Sequence, residues 1–391
     1  MTRNRQWHLI TCEYPPQIGG VADFTRQIAA ALVQAGQSVH VWCPGVDAER
    51  TGGDGVVVHR QLGSFSIADC TRTGRGLDQH GRRRLFVQWV PHGYGWKSLN
   101  VPFAAWLAWR AWGRGDELQV MVHEPYMRVS WPPSHLIASL IERAMLWMIG
   151  SSASHVWLST PSWDRYVRPF VRAGTAVTWL AIPAPEGIPV PTRHASAAKV
   201  GPAVIGHFST HSPVVTSILG PALAEVLRSS EATGLLMGRD SERYLTAFTR
   251  AYPDLSGRVA ATGVLDITSV SARMRDCDLM LQPFPDGITT RNTSMLLAMA
   301  SGVCVASNSG PLTEPLWSNT PAVALAPLPD PSVLAALTLD LLADPVRRSA
   351  LAHAAHELYA ETFDVSRAAT MLTATAAADT PDAPRASHVE A

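Results

Sequence analysis

The sequence predicts an α/β chain built from two successive doubly wound halves, and three observations lead there. The chain has 391 residues, more than the roughly 250–300 at which a single hydrophobic core stops growing. Short apolar runs alternate with stretches of helical spacing through both halves, with no sustained short repeat that would indicate a solenoid. Between the halves, residues 182–200 read IPAPEGIPVPTRHASAAKV, rich in proline and small residues and without apolar periodicity, as an interdomain connection reads.

In chain order, WHLITC at 7–12 is a compact apolar run that predicts a strand. After the loop EYPPQIGG the apolar residues fall at Val21, Phe24, Ile28 and Leu32, one face of a helix. Gly36 stands just past the end of that helix, and 38–43 resumes with alternate apolar residues before Pro44-Gly45 turns the chain. The unit is β-α-β, which implies a parallel pair with a right-handed crossover. Further strands are predicted at 85–90 and 118–122, with helices at 103–112 and 134–149. In the second half the predicted strands are 203–208, 234–238, 258–262, 278–282 and 303–306, separated mostly by helical segments. ADTPDAPRASHVEA at 378–391 has the composition of a disordered tail.

Composition narrows the function. Lysine plus arginine equal aspartate plus glutamate at 32 each, so the net field attracts no polyanion and nucleic acid is excluded as an expected partner. The five cysteines form no Cys-x-x-Cys pair, and four lie in or beside apolar runs, as reduced, buried thiols do. No apolar run reaches the length of about 18 residues that a spanning helix needs, and the early prolines break a secretion signal. A cytoplasmic location is expected, at most with attachment to a membrane surface. Trp106, Trp109 and Trp112 recur at helical spacing near Arg110, Arg114 and Arg82–Arg84. An interfacial helix has that pattern, and core packing is its more ordinary origin.

Four constellations carry chemistry. Gly19 and Gly20 stand where a strand gives way to a helix, so a ligand can approach the backbone and the first helical N–H groups; a plain β-α turn needs glycine there too. No Gly-x-Gly-x-x-Gly occurs at this corner, which argues against a dehydrogenase. PFPDGITTRNTSMLLAMASG at 283–302 turns at Asp286-Gly287 and offers Asn292, Thr293 or Ser294 as the cap of an apolar helix. Arg291 beside the positive end of that helix calls for an anion or a carboxylate, either a diphosphate held together with Thr293 and Ser294 or Asp286 across the turn. His123 and Glu124 follow the run 118–122 at the strand end where α/β proteins place ligands, although a lone histidine is often structural. Gly238 ends a strand in LLMGRD, with Arg239 next on the same edge.

In order and spacing these pieces resemble retaining glycosyltransferases of the GT-B fold, the group called family 4. EYPPQIGGVADFTRQIAAALVQAGQSVHVW looks like its amino-terminal block, and VHEP like the strand end bearing its active-site histidine. IGHF and LLMGR look like the opening of its donor domain, and DLMLQPFPDGITTRNTSMLLAMASGVCVASNSGPLTEPLW like its main donor-binding block. The similarity runs from about 7 to 377.

The resemblance implies two Rossmann-like domains facing across a cleft: an acceptor-side domain over 1–185, a linker over 186–200, and a nucleotide-sugar donor domain over 201–362. A C-terminal helix over 363–377 is expected to pack back on the first domain. The activity implied is transfer of a hexosyl-type sugar from a nucleotide sugar to an acceptor hydroxyl, carbohydrate, lipid-linked or small-molecule, with retention and without metal or other cofactor. His123 and Glu124 would be catalytic. Gly19, Gly20, Gly238, Arg239, Asp286, Gly287, Thr289, Thr290, Arg291, Thr293 and Ser294 would bind the donor.

The chain departs from the family pattern in two places. Anchored on AMASG, Thr289 and Leu297 stand where the family usually has two glutamates, while Asp286 and Ser294 have the same separation in a shifted register. IGHFSTHSPVV lacks the arginine and lysine usual after the donor domain's first strand, which makes Arg291 the candidate substitute. A protein that keeps the fold and binds a nucleotide sugar without turnover is the alternative these departures raise.

Overall fold

A computed structural model describes residues 6–17, 19–45, 50–51, 55–95, 99–127, 133–184 and 201–378. The predicted linker 186–200 and all but the first residue of the predicted tail lie outside the described residues. The chain divides into two compact units, Met1–Ala181 with Val365–Ala391, and Ile182–Asp364.

The first unit is an eight-stranded sheet. Its strands are β1 (Gln6–Ile10), β2 (Val39–Trp42), β3 (Arg50–Thr51), β4 (Val57–His59), β5 (Arg83–Trp89), β6 (Glu117–Val122), β7 (His155–Leu158) and β8 (Ala176–Trp179). They lie in the order β3-β4-β2-β1-β5-β6-β7-β8, all pairs parallel except β3 with β4. β2 and β6 are buried along their length, as expected of strands covered on both faces. The helices include α1 (Gly20–Gln34), α2 (Ile67–Leu77), α3 (Val101–Arg114), α4 (Pro133–Gly150), the short α5 (Asp164–Val167) and, from the end of the chain, α13 (Val365–Ala378), which packs on α1. Phe24, Ile28 and Leu32 of α1 are buried, each contributing about 1.5–3 kcal/mol. Gly36 closes the helix at φ 78°.

Ion pairs tie strands of this sheet to one another and to α3. Arg84 Nε donates to Glu117 Oε1 at 2.6 Å, and Arg110, fully buried on α3, donates to Asp116 Oδ2 at 2.6 Å and Asp78 Oδ1 at 2.7 Å. Arg110 thus belongs to the core, and the inward face of α3 is Phe103, Ala104, Leu107 and Ala108. Trp106 is half-buried, but Trp109 and Trp112 are 48% and 63% exposed, so core packing does not account for the tryptophan spacing. Packed beside α3, α4 also exposes Leu136, Ile137, Leu140 and Trp147. Among the described residues no helix is long and apolar enough to cross a membrane.

The second unit has β9 (Val204–Phe208), β10 (Thr233–Met237), β11 (Val259–Ala261), β12 (Leu279–Leu281), β13 (Val305–Asn308) and β14 (Ala324–Ala326). All are parallel, in the order β11-β10-β9-β12-β13-β14. Its helices are α6 (Pro213–Arg228), α7 (Ser241–Ala251), α8 (Ile267–Arg275), α9 (Thr293–Ala300), α10 (Pro315–Ser318), α11 (Pro331–Ala343) and α12 (Pro345–Thr362). Leu219, Leu223 and Leu227 of α6 meet Leu236, Leu279, Leu281 and Leu334 in its core.

Candidate active site

In each unit the first strand, β1 or β9, has neighbours reached by connections running in opposite directions. Such a switch point opens a crevice at the carboxyl ends of the strands, where α/β proteins bind ligands. The predicted site residues all sit in loops or helix starts at these strand ends.

In the first unit the loop after β1 leads into α1. Glu13 Oε1 accepts the N–H of Val21 at 2.9 Å and of Ala22 at 3.0 Å, so a carboxylate of the chain itself neutralises the start of this helix. Gly19 has φ −175°, which any residue adopts, but a Cβ there would lie 2.2 Å from Glu13 Oε1. Glycine is required by that contact and not by its backbone angles. Two of the helical amides that sequence reasoning offers to a ligand are therefore taken internally. Gly20 is exposed, and a Cβ on it would meet nothing within 4 Å.

His123 follows β6 directly, its N–H bonded to Trp89 O at 3.0 Å. Its ring is buried edge-on to Phe24 of α1 at 5.1 Å, and Nε2 lies 2.8 Å from Gln88 Oε1. Because an amide oxygen only accepts, Nε2 carries the proton in this pair. The His123 carbonyl accepts from Ser159 Oγ and from Trp163 Nε1 at 2.9 Å, so backbone and ring are both held. Glu124 is partly open, with Oε2 at 3.5 Å from His92 Nδ1.

In the second unit the loop after β9 is wired by histidines. His207 Nδ1–H donates to Leu281 O at 2.8 Å, which leaves Nε2 to accept from Ser209 Oγ at 2.8 Å. Ser209 Oγ accepts the His211 N–H, and His211 Nδ1–H donates to Arg239 O at 2.9 Å. Complete burial pushes His207 down to about 3, so it is neutral at ordinary pH. His211 is buried at φ 52°, and its Nε2 makes no hydrogen bond among the described residues. Gly238 has φ 101°, and a Cβ would stand 2.5 Å from Ser209 O, which only glycine avoids. Arg239 itself is exposed.

The loop from β12 to α9 is folded against a second loop, 309–314. Gly287, at φ 85°, lets the two backbones meet: a Cβ there would be 2.2 Å from Gly310 N. Leu312 N donates to Asp286 O at 3.0 Å. Thr289 and Thr290 turn inward, Thr289 Oγ1 donating to Asn292 Oδ1 at 2.9 Å and Thr290 Oγ1 to Glu314 Oε1 at 2.8 Å. Asn292 does occupy the position before α9, but its side chain bonds back to Thr289 instead of capping the helix. Asp286 and Thr293 are exposed, Arg291 and Ser294 half-buried.

Helix starts on this edge differ by position. α8 and α11, which follow the edge strands β11 and β14, are capped by Asp266 and Asp330. In α6, α7, α9 and α10, which follow the four inner strands, the side chain of the residue before the helix makes no such capping bond. A helix start without a cap of that kind can offer its first N–H groups to an anion.

No protein-family model and no curated protein matches the chain. Among solved structures, sucrose-phosphate synthase from Thermosynechococcus elongatus has a TM-score of 0.72 at 16% identity, covering 95% of this chain and 98% of that one. A glycosyltransferase from Rickettsia africae gives 0.72 at 10% identity over 97% of this chain and all of that one (100%). The Anabaena protein HepE in complex with UDP-glucose gives 0.64 at 17% over 96% of this chain and 100% of its own. The fold is GT-B. In this GT-B chain the two positions where the resemblance leads one to expect glutamates hold buried groups, Thr289 bonded to Asn292 and Leu297 in the core. A carboxylate nevertheless reaches the loop, because Glu314 comes in from the end of the following strand. Glu13, His211 and Glu314 are the residues that sequence reasoning passes over. Their only sequence signals are a carboxylate just ahead of a glycine pair, a histidine where a basic residue is usual, and an acid before proline.

Proposed function

We propose that this chain transfers a hexosyl-type sugar from a nucleotide-sugar donor to an acceptor hydroxyl, with retention of configuration and without a metal ion. The observation that carries the reading is the set of helix starts after the inner strands of the second unit that their N-cap side chains do not cap, with Arg239 and Arg291 beside two of them. Helix N-termini and guanidinium groups stabilise charge on a departing diphosphate, the main demand of such a reaction. The GT-B likeness, including that to HepE in complex with UDP-glucose, supports the same donor class.

In this reading Gly238, Arg239, Asp286, Gly287, Arg291, Thr293 and Ser294 face the nucleotide diphosphate, and Thr289 and Thr290 shape the loop from within. His123 and Glu124, with Gly19 and Gly20, serve the transferred sugar. The Gln88-oriented imidazole of His123 is suited to hydrogen-bonding a sugar hydroxyl. Titration of the purified chain with a panel of nucleotide sugars, followed by assay for free nucleotide, tests the proposal. Saturable binding with release of nucleotide is expected, and Arg291→Ala should abolish the binding. Binding without release would favour a non-catalytic sugar-nucleotide protein, and unchanged titration of Arg291→Ala would remove that residue from the site.

A cytoplasmic location with contact to a membrane surface is part of the proposal. It is supported by five free cysteines, four of them buried, and by the large apolar side chains exposed on α3 and α4 next to Arg114. In flotation with anionic vesicles the wild type should rise with the lipid and Trp109→Ser/Trp112→Ser should not. A wild type that stays at the bottom would count against it.

A further inference from the structure

The first unit gathers four histidines that the proposed reaction does not use. Strand pairing places His8 of β1 opposite His40 of β2, and Trp42 opposite His59 at the end of β4. Residues two apart share a sheet face, so the side chains of His8, His40, Trp42 and His59 lie together. His80, in the turn between α2 and β5, joins them with its ring 4.3 Å from that of His40. His40 Nδ1 and His59 Nε2 are 3.0 Å apart. One ligating nitrogen from each of His40, His59 and His80 falls within 4.8 Å of the other two.

A tetrahedral ion with metal–nitrogen bonds of about 2.0–2.1 Å holds its ligands about 3.3 Å apart. Against the 4.8 Å within which the nitrogens now lie, closing the set on an ion brings the farthest of them together by about 1.5 Å. Its chemistry is selective: three imidazoles without carboxylate or thiolate favour zinc, cobalt, nickel or copper over magnesium and calcium. His8 is a neighbour of the set, not a member. Trp42 Nε1 donates to His8 Nδ1 at 3.1 Å, so the neutral His8 ring carries its proton on Nε2 and has no lone pair there to give. Trp42 also lies flat against His59, with centroids 3.9 Å apart, and restrains that ring.

We propose that His40, His59 and His80 form a three-imidazole site for a divalent transition cation of the zinc type, joining β2, β4 and the turn before β5. The half-buried His59 and His80 leave the fourth position on the solvent side. Burial, followed by the neighbouring imidazoles His80 and His59, lowers His40 to about 4, and burial followed by Arg83 lowers His80. Both shifts favour the neutral form of His40 and His80, which is the form that ligates. An ion bound only by the folded state adds its binding free energy to stability, so occupation of the site stabilises the first unit.

The test uses the untagged full chain, stripped with chelator and titrated with Co²⁺ and Zn²⁺. Expected are one equivalent bound, a visible cobalt spectrum of the tetrahedral nitrogen type, and a rise in thermal midpoint with Zn²⁺. His59→Gln and His80→Gln should each weaken Zn²⁺ binding at least about tenfold, while His155→Gln, outside the cluster, should bind as wild type. Circular dichroism of the metal-free variants separates lost ligation from lost folding, and the cobalt spectrum of the wild type stands independently of any variant. No saturable equivalent in the wild type, or full Zn²⁺ affinity in both His59→Gln and His80→Gln, would overturn the assignment.

Discussion

Glu314→Ala removes a carboxylate that is 2% exposed and that accepts from Thr290 N at 3.0 Å, Thr290 Oγ1 at 2.8 Å and Trp317 Nε1 at 2.8 Å. Thr290 and Trp317 are themselves buried, so water does not readily replace the lost acceptor. A buried donor left without a partner costs about 1–3 kcal/mol, and three that share one cavity add incompletely, for roughly 3–6 kcal/mol. In a unit the size of Ile182–Asp364, each kcal/mol moves the midpoint by about 2–4 °C, so a fall of roughly 10–20 °C is expected. Glu314→Gln keeps an acceptor for Thr290 but turns an amide N–H₂ toward Trp317, and should cost about 1–2 kcal/mol. Calorimetry on the three proteins reads the stability. A nucleotide-sugar titration of Glu314→Gln reads whether the loop between β12 and α9 is a donor loop, with affinity expected to fall about tenfold, or about 1.4 kcal/mol. A Glu314→Ala midpoint within about 3 °C of wild type would refute the argument that this carboxylate holds the loop.

Gly19→Ala should expel Glu13 from the start of α1 and cost about 1–2 kcal/mol. Glu13→Ala should cost a similar amount, and urea unfolding of the double variant should show the two losses failing to add. Arg110→Leu leaves Asp116 to Arg83 and Asp78 to Arg83 and Arg114, and should lower stability by about 1–3 kcal/mol in denaturant titration, whereas Arg228→Ala on the exposed pair with Asp254 should change nothing measurable. His207 is held at about 3 in the folded chain against an ordinary 6.5, so the unfolded chain takes up its proton first as pH falls. Its contribution is complete above pH 6.5 and declines from there toward pH 3, reaching a loss of about 2 kcal/mol by pH 5. Urea midpoints of wild type and His207→Gln at pH 7.5 and 5 should differ in pH dependence by that amount, and identical slopes would contradict it.

The parts of the fold most legible in the sequence were those with a clear period. The run 118–122 is a strand buried throughout, and Val21, Phe24, Ile28 and Leu32 lie on a helix that Gly36 ends with a left-handed turn. β7, β8 and β14 escaped notice because HVWL, AVTW and ALA are three or four residues long and stand within text that gives no alternation. The site was legible as positions but not as partners. Glycine at 19 and 287 marks a close approach in both cases, yet the approaching groups belong to the chain itself, Glu13 in one and the Gly310 backbone in the other. Thr290 and Glu314 are 24 residues apart and meet only because β12 and β13 are neighbours in the sheet, a relation that spacing along the chain does not encode. The Trp109 and Trp112 spacing fixes a helical stripe but leaves open which way it faces. That orientation was decided by Arg110, whose acidic partners Asp78 and Asp116 draw the opposite side of α3 inward.

α13 belongs to the first unit although the whole of the second is translated before it. A ribosome that has released residues 1–181 has therefore delivered an incomplete body, with the surface of α1 that α13 covers still bare. The second unit is one continuous segment, whereas the first is made of two that the second separates. A premature stop near residue 364 would leave every proposed donor residue intact and would still harm the other half of the protein.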